Sequence, residues 1–187
     1  MMRIITGKAR GVKLVTLEGE NTRPTSERAK EAVFSMLQFE IEGREVLDLF
    51  AGSGQMGLES VSRGAASATL VDKSKEAVAV IGKNIEKTRL SDACRVFCSD
   101  VSDYIRTVGG RGRFDIVFID PPYALRAVPK TLEQLLSADL LKPTSVVICE
   151  SEESDIFESA PDLMEKFEIL RCAKYGVAHI TVIKPRA

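Results

Sequence analysis

From Glu45 onward, short apolar runs alternate with longer segments whose apolar positions recur every three to four residues. The runs Val46–Leu49, Ala68–Val71, Arg95–Cys98, Phe114–Ile119 and Val146–Cys149 predict strands. Segments near Met56–Ser62, Lys75–Thr88, Val101–Thr107 and Val128–Ser137 predict the helices between them. Repeated strand–helix units imply a parallel sheet covered on both faces. Two later runs, Phe167–Cys172 and Ala178–Ile183, flank Tyr175-Gly176 and predict an antiparallel pair closing one sheet edge. Ahead of the regular region, Arg3-Ile4-Ile5-Thr6 and Val12-Lys13-Leu14-Val15 flank the turn Gly7–Gly11 and predict a small hairpin. Thr25 or Ser26 is placed to cap a helix over Glu27–Phe39.

Length and composition narrow this α/β picture. A chain of 187 residues, 44% hydrophobic, suits one domain with a short appendage. With 26 basic and 27 acidic side chains no global field draws the protein to a polyanion, so any nucleic-acid contact must come from a local patch. One such patch exists: residues 1–13 carry Arg3, Lys8, Arg10 and Lys13 and no acid, whereas Glu150–Glu168 holds eight acids and only Lys166. Taken alone, such a cluster is equally a solvated face. Cys94, Cys98, Cys149 and Cys172 form no CxxC pair, and three lie in apolar runs, so they read as reduced core residues of a cytoplasmic protein. No apolar stretch approaches the 18 residues of a membrane span, and the amino terminus lacks an apolar signal core.

The first predicted strand runs into Asp48-Leu49-Phe50-Ala51-Gly52-Ser53-Gly54, and Gly52, Gly54 and Gly57 satisfy GxGxxG. On spacing alone this suits a nicotinamide dinucleotide or S-adenosylmethionine. Asp48, ahead of the glycines, favours the second: a pyrophosphate gains nothing from a carboxylate there, while a ligand bearing an ammonium and a sulfonium gains an opposite charge. Asp72 at the second strand end suits a ribose diol. Ser99-Asp100 at the third can accept from an adenine amine. Single aspartates are common turn formers. Acidic residues at four successive strand ends, Asp48, Asp72, Asp100 and Asp120, are harder to attribute to turns.

Asp120-Pro121-Pro122-Tyr123 follows the fourth strand directly. Two prolines fix φ and remove backbone donors, so the chain must leave the sheet, on a stiff turn at the end where open α/β sheets place ligands. Asp120 and the Pro121 carbonyl can accept both hydrogens of a planar amine and localise its lone pair. Tyr123 offers a face for an extruded base. Guanine presents two adjacent donors to a carboxylate, a mild preference over adenine. The chemistry needs neither a metal nor a covalent nucleophile, and the single histidine, His179, reads as structural or cleft-lining.

The glycine loop and the Asp-Pro-Pro-Tyr turn together resemble the amino methyltransferases that use S-adenosylmethionine. Arg3-Ile4-Ile5-Thr6-Gly7-Lys8-Ala9-Arg10-Gly11 and Asn21-Thr22-Arg23-Pro24-Thr25-Ser26-Glu27-Arg28 narrow the resemblance to the bacterial 16S ribosomal RNA guanine-N2 methyltransferases, over nearly the whole chain. The resemblance implies a Rossmann-like, seven-stranded, mostly parallel sheet in residues 23–187 with an antiparallel edge hairpin, plus a basic amino-terminal β-hairpin extension in residues 1–22. It implies S-adenosylmethionine as donor and a guanine of 16S rRNA, in a partly assembled small subunit, as acceptor. By position, Asp48, Phe50, Gly52 and Gly54 would line the methionine end, Asp72 the ribose and Asp100 the adenine, with Ser53 and Lys73 also binding the cofactor. Thr25 and Arg28 would lie at the cofactor mouth. Asp120, Pro121 and Tyr123 would be catalytic, and Arg3, Lys8, Arg10, Lys13 and Arg23, with Tyr123, would contact RNA. Val177-Ala178-His179 departs from the small hydroxyl residue expected there. The alternatives are an adenine-N6 DNA or RNA methyltransferase, a nicotinamide dehydrogenase, and a non-catalytic RNA-binding module.

Overall fold

The computed structural model describes residues 2–17, 24–110 and 112–186, with residues 24–27 described by their backbone alone. In chain order the elements are α1 (Pro24–Met36), β1 (Glu45–Leu49), α2 (Gln55–Ser62), β2 (Ser67–Asp72), α3 (Lys75–Thr88), β3 (Cys94–Cys98) and α4 (Val101–Val108). They continue with β4 (Phe114–Ile119), α5 (Val128–Ser137), β5 (Leu141–Ser151), α6 (Pro161–Met164), β6 (Phe167–Tyr175) and β7 (Ala178–Pro185). The seven strands form one sheet in the order β3-β2-β1-β4-β5-β7-β6. Its first five strands are parallel, and β7 runs antiparallel to both β5 and β6.

The central strands are mostly apolar because both faces are covered, with Asp48 of β1 and Asp115 of β4 the buried acids among them. In β4, Ile116 and Phe118 join a core with α1, α2 and α3. Val117 and Ile119, pointing the other way, join α4 and α5 through Tyr104, Ile105, Leu132 and Leu135. At the amino end of the sheet buried Asp115 fastens β4 to the starts of β1 and β5 through three donors. It accepts from Lys142 Nζ at 2.8 Å, Glu45 N at 2.9 Å and Arg44 Nη1 at 3.3 Å.

The predicted amino-terminal hairpin forms with a single bridge, Arg3 opposite Lys13, supported by Ile4 N to Val12 O and Leu14 N to Met2 O, each 3.0 Å. Met2, Ile4, Ala9 and Leu14 enter the same core as α1–α3. Buried groups of α2 hold it from below. The Glu59 carboxylate accepts from Ile5 N and Thr6 N at 2.6 and 3.0 Å, and Ser62 Oγ accepts from Ala9 N at 3.0 Å. Gly7 crosses the end of α2 so closely that a Cβ there would lie 1.7 Å from the Ser62 carbonyl oxygen.

Three expectations are corrected. Helix α1 begins at Pro24, before the predicted Thr25 or Ser26 cap, and stops at Met36. Proline at the first helical position sacrifices only a donor that has no intrahelical partner, and Phe39, the expected last residue, is 90% exposed beyond the helix. Strand β5 extends well beyond Val146–Cys149, because polar Lys142–Ser145 still lies in the strand. Only Cys149 of the four free cysteines is buried; Cys98 and Cys172 are exposed on the edge strands β3 and β6, and Cys94 is half-buried. The Asn21-Thr22-Arg23 stretch lies outside the described residues, as does the Thr25 side chain.

Candidate active site

The carboxyl ends of β3, β2, β1 and β4 open into a cleft of about 780 Å³ lined by Asp100, Asp72, Asp48 and Asp120. The size falls in the range of small-molecule clefts. Parallel register brings the four acids together: Asp48 lies level with Leu70 of β2 and Phe118 of β4, Asp72 lies level with Cys98 of β3, and each neighbouring strand delivers its own acid two residues further on.

The glycine loop forms the floor. Phe50 takes a left-handed conformation at φ 61°, a strain of about 1–3 kcal/mol for a residue with a Cβ. It is followed by Gly52 at φ 55° and by Gly54, which precedes α2 at φ 79°. The third glycine serves packing. A Cβ on Gly57 would come within 2.9 Å of Leu70 and 3.3 Å of the Asp48 carboxylate, so glycine lets α2 settle onto β2. Phe50, Gly52 and Ser53 line the cleft, while Gly54 is buried.

Three of the acids also hold the loops that carry them. Asp72 accepts from Gly52 N at 2.9 Å and Ser74 N at 2.8 Å, tying the loops after β1 and β2 together. Asp100 caps α4 through Ser102 N at 2.8 Å. Asp48 is 3% exposed and accepts from Gly57 N at 2.8 Å. Burial raises its pKa from 3.8 to about 7; Asp120 and Asp72 push the same way, and the Gly57 amide and Lys30 ammonium oppose them. Turn and ligand roles are compatible, because a carboxylate has about four acceptor sites.

Beyond β4, Pro121 is buried and Asp120, Pro122 and Tyr123 line the same cleft. Tyr123 Oη donates to Glu150 Oε1 at 2.9 Å, and burial, then the nearby Glu150 charge, raises its pKa. Glu150 is a site residue beyond those expected from the sequence. Its signal was present, since it directly follows the apolar Val146–Cys149 run at another strand's carboxyl end. Lys30 is a second such residue. It lines the cleft from α1, donating to Gln55 Oε1 at 2.7 Å, whereas Arg28 is exposed. No helical pattern marks which cation faces a cleft.

Lys73 lines the cleft mouth. Arg3, Lys8, Arg10 and Lys13 are all exposed on the hairpin, and Arg23 lies outside the described residues. His179 is half-buried in β7 with Nδ1 2.9 Å from the Glu152 carbonyl, a structural position on the antiparallel side of the sheet. Among the described residues no group of three His, Cys, Asp or Glu side chains is arranged to hold a metal, and no helix is long and apolar enough to cross a membrane.

The family model described as conserved hypothetical protein 95 matches residues 2–184. Ribosomal RNA small subunit methyltransferase D of Haemophilus influenzae is 34% identical over 152 residues, covering 81% of this chain and 79% of the relative. Its Escherichia coli K12 counterpart is 33% identical over 160 residues, covering 86% and 79%. The chain belongs to the small subunit rRNA methyltransferase D family. The solved Escherichia coli yhhF structure superposes with a TM-score of 0.87 at 31% identity, covering 100% of this chain and 98% of that one. The family's Rossmann-like methyltransferase fold is therefore the one described above, with its antiparallel β6–β7 edge, and the aspartates and the Asp-Pro-Pro-Tyr turn stand together at the ends of its parallel strands.

Proposed function

We propose that this protein transfers a methyl group from S-adenosylmethionine to the exocyclic N2 amine of a guanine in small-subunit ribosomal RNA, working in the cytoplasm on a partly assembled particle. The observation that carries the reading is the convergence of Asp120-Pro121-Pro122-Tyr123 with Asp48, Asp72 and Asp100 on one cleft. Membership of the family supports the rRNA acceptor. The adjacent donors of guanine, matched to the Asp120 carboxylate, support the choice of base.

The cleft fits the donor. Buried Asp48 supplies a negative charge for an ammonium, Lys30 a positive charge for a carboxylate, Asp72 acceptors for ribose hydroxyls and Asp100 an acceptor for an adenine amine. Bound there, S-adenosylmethionine supplies a sulfonium methyl, an electrophile needing no further activation. The protein must prepare the nucleophile. The Asp120 carboxylate and Pro121 carbonyl accept the amine hydrogens and direct the nitrogen lone pair away from the ring. Tyr123 stacks on the base, its ring set by the bond from Oη to Glu150. As the nitrogen gains the methyl group it loses a proton, and Asp120, already accepting that hydrogen, is placed to take it. The rest of the rate enhancement is alignment.

The test uses small ribosomal subunits from a strain lacking this protein, labelled S-adenosylmethionine, and nucleoside analysis of the digested RNA. Label is expected in N2-methylguanosine; label in N6-methyladenosine would overturn the choice of base. Asp120→Ala should keep S-adenosylhomocysteine affinity and lose methyl transfer by about a hundredfold or more. Undiminished transfer would remove Asp120 from the mechanism.

A further inference from the structure

One buried side chain connects the basic hairpin to the cofactor loop. Asn84, on α3, is fully buried. Its Oδ1 accepts from Val15 N at 2.7 Å, and its Nδ2 donates to Val15 O and to Ser53 O, each at 2.9 Å. Val15 lies two residues beyond Lys13, which bridges to Arg3 across the hairpin, and Ser53 lies between Gly52 and Gly54. A second contact joins the same parts: Ser53 Oγ donates to Met2 Sδ at 3.0 Å. Met2 and Leu17, at the two ends of the hairpin segment, also line the cleft. The hairpin is thus a wall of the cofactor site on one side, and on the other displays Arg3, Lys8, Arg10 and Lys13 to solvent.

We infer that Asn84 is a positioning residue that couples the two ligands, so that cofactor in the cleft tightens RNA binding at the hairpin and RNA tightens cofactor binding. The inference rests on the proposed methyltransferase reading for the identity of both ligands. Its physical basis is that a ligand against Ser53, Met2 and Leu17 favours the docked hairpin, and only a docked hairpin presents its cations as one surface. Such coupling must be reciprocal, and typical values correspond to about 5- to 150-fold in affinity. Asn84 suits the task because its amide satisfies a donor and two acceptors on two different chain segments, so neither segment shifts without leaving a buried group unpaired.

The experiment measures binding of the full chain to undermethylated small subunits by co-sedimentation, with and without saturating S-adenosylhomocysteine. The wild type should bind about fivefold or more tightly with the cofactor product present. Asn84→Ala should bring that ratio close to one. The exposed triple variant Arg3→Gln/Lys8→Gln/Arg10→Gln, which keeps the Asn84 junction, should lose most of the subunit affinity, flatten its salt dependence and also bring the ratio close to one. Should Asn84→Ala fail to fold, the triple variant still decides whether the coupling runs through the hairpin that Asn84 holds. A wild-type ratio of one, or a ratio unchanged in the variants, overturns the coupling. Failure to bind S-adenosylhomocysteine or subunits at all would overturn the methyltransferase reading instead.

Discussion

Replacing Asp48 by Asn should make the protein more stable and less able to bind its cofactor, with a gain that depends on pH in a calculable way. Burial raises the Asp48 pKa to about 7, against 3.8 when unfolded. The unfolded chain therefore gives up this proton first as pH rises. Between about pH 4 and 7 the native state binds more protons at this site, and the group's contribution to stability falls with increasing pH. Above pH 7 both states are ionised and the full penalty applies: the gap between 3.8 and about 7, at 1.36 kcal/mol per pKa unit, is about 4 kcal/mol. Asparagine keeps an acceptor for the Gly57 amide, now 2.8 Å away, and cannot ionise. Urea denaturation of both proteins across pH should show a difference near zero at pH 4, rising to about 4 kcal/mol in the variant's favour at pH 8. Titrating both with S-adenosylhomocysteine should show the second half of the trade, binding in the wild type and a large loss in the variant. A stability difference that stays flat with pH, or an Asp48→Asn protein less stable at pH 8, would refute the account of a carboxylate held in a costly site for a cationic ligand.

Other expectations follow from single contacts. Tyr123→Phe keeps the ring but removes the bond to Glu150, and should lower kcat/KM roughly tenfold; Tyr123→Ala should lower it further, by the roughly 1–3 kcal/mol of lost stacking. Equal losses in the two variants would show that the ring face contributes nothing. Burial raises the Asp115 pKa, but Lys142, the Glu45 amide and Arg44 outweigh it and leave the value lowered. Its stabilisation is thus present above the unfolded pKa of 3.8 and is lost as pH falls through the lower folded value, so Asp115→Asn should flatten acid unfolding below about pH 4. Gly7→Ala, at φ 87° with its new Cβ 1.7 Å from a backbone oxygen, should cost at least about 2 kcal/mol in urea denaturation by forcing the hairpin off α2.

The parallel strands were legible in sequence because burial on both faces leaves little room for polar residues, and Lys75–Thr88 and Val128–Ser137 matched α3 and α5 residue for residue. Strand β5 is longer than its apolar run for the converse reason: Lys142-Pro143-Thr144 lacks an apolar strand pattern, and its place in the strand depends on partners elsewhere, such as Asp115 for Lys142. In the site, aspartates at strand ends could be found because strand periodicity locates the ends. Lys30, Gln55 and Asn84 could not, since each acts through a partner 25 or more residues away that no local pattern identifies. Glu59 and Ser62 are similar. Both sit in a helix pattern as ordinary polar positions, yet they are buried, and the segment that buries them is the hairpin more than 50 residues earlier.

That separation also orders the protein's birth. The hairpin is synthesised 53 to 69 residues before Glu59, Ser62 and Asn84, the side chains that fasten it. At about 5–20 residues per second of elongation, the interval is on the order of three to fourteen seconds. Throughout it, Met2, Ile4 and Leu14 lack the part of their core that α2 and α3 supply. The nascent chain therefore carries an uncovered apolar strip bearing four cations until α2 and α3 have emerged, and this is the stretch a chaperone at the exit tunnel would meet.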